Sequence, residues 1–176
     1  MERLSGLDAS FLYLETPTMQ MHVAFVIICD TRSNPDGYRF SALAERIESR
    51  VNREPAFRRK LVQVPFNLNH PCGSKTVSFR FSIICGSTPC SRRAQMAQLG
   101  HLIGDIMEKP LDRRYPLWEA WVVEGLEEQR VAMVIKVHHA AVDGVSGTAL
   151  LRHLFDEVAE VRERKWAPPA GGSGTR

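Results

Sequence analysis

Apolar residues in the second half of the chain follow a pattern that predicts two neighbouring strands. Residues 118–124 have the composition of a strand, and an apolar run over 131–139 follows after the polar residues 127–129. Two such runs joined by a short polar turn predict an antiparallel hairpin. Successive side chains of a strand point to opposite faces of the sheet. His138 and His139 are therefore predicted to face opposite sides and to have separate tasks.

A helical repeat of apolar residues marks three further segments. Residues 41–54 place Leu43, Ile47 and Val51 four positions apart, and similar stripes run through 92–107 and 146–165. Apolar residues at this spacing lie on one face of a helix. We therefore expect three amphipathic helices.

Three shorter segments complete the predicted fold. Residues 21–30 are rich in β-branched side chains and predict a largely buried strand, and 76–84 could form another. Residues 4–14 predict a short helix that Asp8 would cap. Together these elements predict an α/β fold, a two-layer domain in which helices cover a mixed sheet.

Composition narrows the class of protein. The chain has 176 residues, of which 44% are hydrophobic and 24% charged, and this suits one soluble globular domain. A net charge of +3 is too small to indicate nucleic-acid binding. The longest apolar run, 23–29, is far shorter than a membrane span, and no signal peptide is recognisable. We expect a cytoplasmic protein that could still contact the inner face of the membrane.

Residues 71–91 differ in composition from the rest of the chain. They contain three of the four cysteines, Cys72, Cys85 and Cys90, and no acidic residue. A zinc site completed by His70 is conceivable, but the spacings match no familiar Cys-x-x-Cys pairing. We expect no bound metal.

The chemistry of the chain is concentrated in the sequence His138-His139-Ala-Ala-Val-Asp143-Gly144. An imidazole with a reference pKa near 6.5 can accept a proton at neutral pH. Asp143 follows His139 across a turn and could brace it, and Gly144 would let the backbone turn tightly. The alternative is that both histidines are buried structural residues at a strand end. A metal site on the two histidines is disfavoured because adjacent strand residues face apart.

This sequence resembles the His-His-x-x-x-Asp-Gly acyltransferases, and three other stretches are similar to one group within them. These stretches are LSGLDASFL at residues 4–12, PAFRRKL at 55–61, and PLDR at 110–113 followed by PLWE at 116–119. The group is the bacterial wax ester synthase/diacylglycerol acyltransferase family, of the type found in mycobacteria. The likeness covers residues 1–70 and 92–160.

The resemblance implies an activity and assigns roles to the site residues. It implies transfer of a fatty acyl group from acyl-CoA, as co-substrate, to diacylglycerol or a long-chain alcohol, with no cofactor. His139 would be the general base, Asp143 would orient the histidine loop, His138 would be supporting and Gly144 would form the turn. Substrate-binding residues are not indicated.

Departures from the family pattern keep other functions open. Family members are longer and have a second, similar half, whereas this sequence matches the first half only. Residues 71–91 lack the tryptophan and the acidic residues that the family usually has here, and their composition resembles a segment translated in a different reading frame. Tyr115 stands where arginine is usual. We expect an acyltransferase N-terminal domain over 1–166 and a disordered tail over 167–176. The alternatives are an inactive remnant, a lipid-binding half that needs a C-terminal half, and a condensation or polyketide-associated acyltransferase.

Overall fold

The fold combines three helices with two sheets in the part of the chain that the structure describes. A computed structural model describes residues 2–32, 34, 36–53, 55–62, 72–75, 80–85, 92–141 and 152–155. The helices are α1 (Gly6–Leu14), α2 (Phe40–Arg53) and α3 (Arg92–Glu108). The strands are β1 (Glu2–Arg3), β2 (His22–Asp30), β3 (Arg59–Val62), β4 (Cys72–Lys75), β5 (Arg80–Cys85), β6 (Trp118–Leu126) and β7 (Arg130–His138). Short 3-10 turns lie at Pro55–Arg58, Glu127–Gln129 and His139–Ala141, and residues 152–154 are helical.

The larger sheet is mixed, as predicted. Its strand order is β2-β7-β6-β5, with β7 antiparallel to both neighbours and β5 parallel to β6. The second sheet has the order β1-β4-β3 and is antiparallel throughout. The α/β class with a mixed sheet is confirmed. None of the described helices combines the length and apolar composition that a membrane crossing requires.

The predicted antiparallel hairpin of β6 and β7 is confirmed. Val122 pairs with Met133 and Ala120 with Ile135, and the two strands turn back through Glu127–Gln129. Glu128 and Gln129 have φ values of 58° and 53°, the left-handed region that a tight reversal requires. The pairing is irregular between Val123 and Leu126, and Gly125 within this segment has a φ of 84°.

Side chains of β7 separate onto two faces, and each face has its own apolar cluster. One cluster contains Met133, Ile135 and Val137 together with α2 residues, and the other contains Ala132 and Val134 together with α3 residues. Every residue from Val131 to His138 is buried. β7 is thus the central strand of the molecule, and its C-terminal end delivers the two histidines to the site.

For α2 and α3 the predicted boundaries lie within one residue of the observed ones. The N-cap of α1 differs from the prediction. Ser5, not Asp8, is the N-cap of α1, and its Oγ accepts a 3.1 Å hydrogen bond from the amide of Asp8. The prediction of Asp8 as the cap is therefore wrong. Asp8 lies in the first turn, where its carboxylate accepts a hydrogen bond from the Ser5 hydroxyl and favours the positive end of the helix dipole.

The prediction that 21–30 is largely buried is also wrong. β2 lies at the edge of the larger sheet, pairs with β7 alone among the described strands, and alternates between half-buried and exposed positions. Val26 and Ile28 are 42% and 44% exposed. A run of β-branched residues indicates a strand but does not distinguish an edge position from a central one.

Several other predictions lie partly or wholly outside the described residues. Of the predicted strand 76–84, residues 80–84 belong to β5. Most of the predicted helix 146–165 and the whole of 167–176 lie outside the described ranges.

Candidate active site

The two adjacent histidines leave the sheet in different ways. β7 ends at His138, which pairs with His22 of β2, and His139 begins the 3-10 turn His139–Ala141. The prediction that His139 continues the strand is therefore wrong by one residue. Opposite faces of a strand therefore do not describe the pair, but the rings do have different contacts: His138 meets Glu15 and His22, and His139 stacks on Phe11. That the two histidines have separate tasks stays a prediction.

His138 is buried, at 1% exposure, and is held through both ring nitrogens. Its Nδ1 accepts a 3.0 Å hydrogen bond from the amide N–H of Ala140. Its Nε2 lies 3.3 Å from Oε2 of Glu15. Burial lowers the pKa of His138, against the opposing effect of the Glu15 carboxylate. The ring is therefore neutral at neutral pH, with its proton on Nε2, because Nδ1 acts as an acceptor.

Glu15 follows the last residue of α1. It lies at the centre of a polar cluster that also contains His22, Arg113 and His138. Arg113 donates a 2.7 Å hydrogen bond from Nη2 to Oε2 of Glu15. Burial alone would raise the pKa of Glu15, but the Arg113 hydrogen bond and the surrounding positive charge lower it overall. The carboxylate is therefore ionised and can only accept hydrogen bonds.

His22, the first residue of β2, completes the cluster. Its Nε2 lies 3.2 Å from Oε1 of Glu15, and its ring meets that of His138 edge-on with the centroids 5.5 Å apart. The contact with Glu15 lies outside hydrogen-bond geometry, and neither ring nitrogen finds a hydrogen-bond partner among the described residues. Burial and the nearby charge of Lys136 lower the pKa of His22 to about 4. His22 is thus neutral over the physiological range.

His139 lies on the other side of the turn and is only half buried. Its ring stacks on Phe11 of α1, with centroids 5.1 Å apart and planes inclined by 24°. Its backbone N–H donates a 2.9 Å hydrogen bond to the carbonyl of Met21. Among the described residues, no hydrogen bond to its ring nitrogens is found. The imidazole of His139 is therefore held in one orientation and remains partly exposed.

Asp143 and Gly144, the other two predicted site residues, lie outside the described residues. The predicted bracing role of Asp143 and the predicted turn at Gly144 stay predictions.

Glu15, His22 and His138 also meet a spacing criterion for a metal site. One ligand atom from each lies within 4.8 Å of the others. Two features oppose a metal there. The amide of Ala140 donates to Nδ1 of His138, so Nε2 carries the proton and has no lone pair for a metal. The guanidinium of Arg113 is already hydrogen-bonded to Oε2 of Glu15. The arrangement suits a hydrogen-bonded charge cluster better than a cation site.

Sequence reasoning missed four members of this site. Glu15, His22 and Phe11 come from the first 22 residues, and Arg113 was noted only as part of a family motif. Each is a single residue in its own segment, and its partners are distant in the sequence. The one local signal was the polar His22 at the start of an otherwise apolar strand.

Comparisons with known proteins agree on one family. The family model described as the wax ester synthase/diacylglycerol acyltransferase catalytic domain matches residues 4–176. The chain is 43% identical over 159 residues to a Mycobacterium tuberculosis protein named as a diacylglycerol O-acyltransferase, Rv1760, which covers 88% of this chain and 31% of that protein. It is 34% identical over 172 residues to another from the same organism, Rv3087, with 96% of this chain and 36% of that protein covered. The chain thus spans about a third of the length of these relatives.

Solved structures share the fold. A wax ester synthase/diacylglycerol acyltransferase from Marinobacter aquaeolei VT8 superposes with a TM-score of 0.65 at 24% identity, covering 85% of this chain and 37% of that one. The starter condensation domain of the rhizomide synthetase RzmA gives a TM-score of 0.63 at 11% identity, covering 87% of this chain and 37% of that one. At these identities the likeness concerns the fold alone.

Proposed function

Because the chain belongs to the wax ester synthase/diacylglycerol acyltransferase family, we propose that it forms the N-terminal, histidine-bearing part of an acyl-CoA-dependent O-acyltransferase. The acceptor is the hydroxyl of diacylglycerol, of a long-chain alcohol, or of both, so the products are triacylglycerols or wax esters. Relatives that cover most of this chain carry the name diacylglycerol O-acyltransferase, and this supports the choice of acceptor.

In the proposed reaction His139 is the general base. Its imidazole takes the proton from the acceptor hydroxyl while that oxygen attacks the thioester carbonyl of acyl-CoA. The tetrahedral oxyanion collapses, the carbon–sulfur bond breaks and the new ester forms. The proton passes from the imidazolium to the departing thiolate, so free CoA leaves and His139 is neutral again. The step requires no metal or redox cofactor.

One observation carries the assignment to His139 rather than His138. Both ring nitrogens of His138 are engaged in a buried cluster, whereas His139 is half buried and fixed through its backbone and the face of its ring. A general base needs a free nitrogen within reach of the substrate and a fixed orientation. His138 is then a supporting residue. We assign Asp143 to orienting the histidine loop and Gly144 to its turn.

A second candidate function is supported by the part of its relatives that the chain matches. The chain spans about a third of the length of the relatives named above. If the substrate site also needs residues of the remaining two thirds, this part acts as a lipid-binding half-domain that requires a C-terminal half. An acyltransferase that uses a carrier protein as donor is a further alternative, since condensation domains share the fold.

The proposal includes partners and location. Acyl-CoA and a lipid alcohol are the substrates, and we propose peripheral contact with a membrane or lipid-droplet surface from the cytoplasm. Four large apolar side chains on α1 and just after it are 50–70% exposed, and this supports contact with a lipid surface. They are Leu7, Tyr13, Leu14 and Met19. We assign residues 1–166 to the acyltransferase domain, and residues 167–176 lie outside the described residues.

A direct assay tests this function. The purified chain is incubated with radiolabelled long-chain acyl-CoA and either diacylglycerol or a long-chain alcohol, and the ester products are separated. We expect ester formation that His139→Ala abolishes. The matched control, His101→Ala, removes an exposed histidine of α3 and should keep the activity. Product equal in wild type and His139→Ala rejects the proposal. Activity that appears only after addition of a C-terminal half supports the half-domain.

A further inference from the structure

A hydrogen bond between the residues on either side of His139 closes the turn that carries it. The amide N–H of Ala140 donates to Nδ1 of His138, two residues earlier, so the backbone of His139 lies inside a small ring. This bond lies where the chain leaves β7 and enters the turn His139–Ala141. The position of His139 therefore depends on which nitrogen of His138 is free to accept.

Glu15, on the other side of the His138 ring, determines which ring nitrogen carries the proton. A neutral imidazole carries one proton, and a hydrogen bond at one nitrogen decides where the proton lies. The ionised carboxylate of Glu15 can only accept, and its Oε2 lies 3.3 Å from Nε2. Glu15 thus places the proton on Nε2, which leaves the lone pair of Nδ1 for the amide of Ala140.

Glu15 is well placed to hold this arrangement. Its side chain is only 9% exposed, and Arg113 fixes the accepting oxygen with a 2.7 Å hydrogen bond. The same helix, α1, carries Phe11, whose ring stacks on His139. α1 and the residue that follows it therefore restrain both histidines at once.

We propose that Glu15 is a positioning residue for His139, acting through the proton on Nε2 of His138 and the hydrogen bond from Ala140. The inference rests on the proposed function, because it takes His139 as the catalytic base. It also adds a requirement of its own: a carboxylate at position 15, and not only an apolar or isosteric side chain, keeps the turn closed.

Side-chain NMR on the full chain tests the coupling without any need for turnover. Long-range 1H–15N spectra of imidazole-labelled protein report which nitrogen of His138 is protonated, and amide exchange reports the Ala140 hydrogen bond. In wild type we expect the Nε2-protonated form and a protected Ala140 amide. Glu15→Ala and Glu15→Gln should mix the tautomers and speed exchange at Ala140 by about tenfold or more. Glu15→Asp should be intermediate.

Glu45→Gln, on the exposed side of α2, is the matched control and should change neither signal. Circular dichroism of each variant verifies that the fold is retained. A His138 tautomer and an Ala140 exchange rate in Glu15→Ala and Glu15→Gln equal to those of Glu45→Gln would overturn the proposal. If Glu15→Ala unfolds, the isosteric Glu15→Gln decides.

Kinetics separate this proposal from the proposed function. In protein that turns over, Glu15→Gln should lower kcat by about tenfold or more, with little change in KM, relative to Glu45→Gln. An unchanged kcat would overturn the positioning role. Wild-type protein without turnover rejects the stand-alone enzyme instead, and the NMR result still decides the role of Glu15.

Discussion

Glu15 and His138 are 123 residues apart in the sequence, and Oε2 of the first lies 3.3 Å from Nε2 of the second. This contact joins the end of the first helix to the end of the central strand. The buried carboxylate of Glu15 thus lies beside two neutral histidines, His22 and His138. These groups make the stability of the fold depend on pH.

The cluster should make the fold sensitive to mild acid. The pKa of His22 is about 4 in the folded chain, against an ordinary value of 6.5. Between these values the unfolded chain binds a proton that the folded chain does not, so the free energy of unfolding falls as pH is lowered from 6.5 towards 4. The shift corresponds to roughly 3 kcal/mol at most.

Urea unfolding at a series of pH values measures this effect. His22→Gln does not titrate and should show a shallower loss between pH 6.5 and 4, whereas His101→Ala should follow wild type. Parallel curves for wild type and His22→Gln would contradict the assignment. The lowered pKa of His138 acts in the same direction, and the lowered pKa of Glu15 adds a further loss below its ordinary 4.5.

Lys136 should be essential for stability. Its side chain is fully buried, and Nζ donates to the carbonyls of Ile106 and Lys109 near the end of α3, with Glu119 3.7 Å away. Burial lowers the pKa of this ammonium, and Glu119 opposes the shift. Lys136→Met leaves a buried carboxylate without this cation and should cost about 3 to 5 kcal/mol.

Thermal and denaturant unfolding provide the measurement for Lys136. Glu119→Gln and the double variant complete a cycle, and the double variant should lose less than the sum of the two single changes. Strict additivity would show that the pair is not coupled.

Phe11 should fix the ring of His139. Stacked rings of this kind contribute about 0.5 to 1.5 kcal/mol beyond their buried area. Phe11→Leu keeps an apolar side chain but removes the aromatic face, so the ring-current shift of the His139 imidazole protons should disappear and turnover should fall several-fold. The control for the chemical shifts is Tyr13→Leu, on the exposed side of the same helix, and the control for turnover is Glu45→Gln on the exposed side of α2. Unchanged His139 shifts in Phe11→Leu would argue against the stack.

Trp118 should stabilise the connection between β6 and the turn Pro55–Arg58. Its Nε1 donates a 2.8 Å hydrogen bond to the carbonyl of Phe57, and the two rings meet edge to face. Trp118→Phe leaves that buried carbonyl without its donor and should cost about 1 to 3 kcal/mol. Trp121→Phe, three residues further along β6 and half buried, should cost less in the same unfolding measurement.

The sequence predicted elements well where a regular apolar pattern continued for several turns or residues. β6, β7, α2 and α3 each have such a pattern, and their boundaries agree closely with the observed ones. The cap of α1 was missed because Ser5 and Asp8 are both good capping residues, and the choice depends on the backbone of Ser5. The exposure of β2 was missed because edge position is a property of the whole sheet.

The candidate site was predictable only in part. His138 and His139 were found from their motif, but alternation along a strand was applied one residue beyond the end of β7. Glu15 and His22 could not be found, because no local pattern tells which distant residues will surround a buried imidazole. Long-range packing of α1 and β2 against β7 decides that, and it is encoded in many residues at once.

The edge position of β2 has a consequence for how the protein is made. Asp30 of β2 pairs with Arg130 of β7, so the strand emerges from the ribosome about 100 residues before its partner. At about 5 to 20 residues per second this is a wait of roughly 5 to 20 seconds, during which Phe25 and Ile27 lack the apolar cluster that they pack against in the folded chain. Nascent chains of this protein therefore expose an unpaired apolar strand before the histidine site forms. The yield of soluble protein on expression should depend on the chaperones that bind this strand.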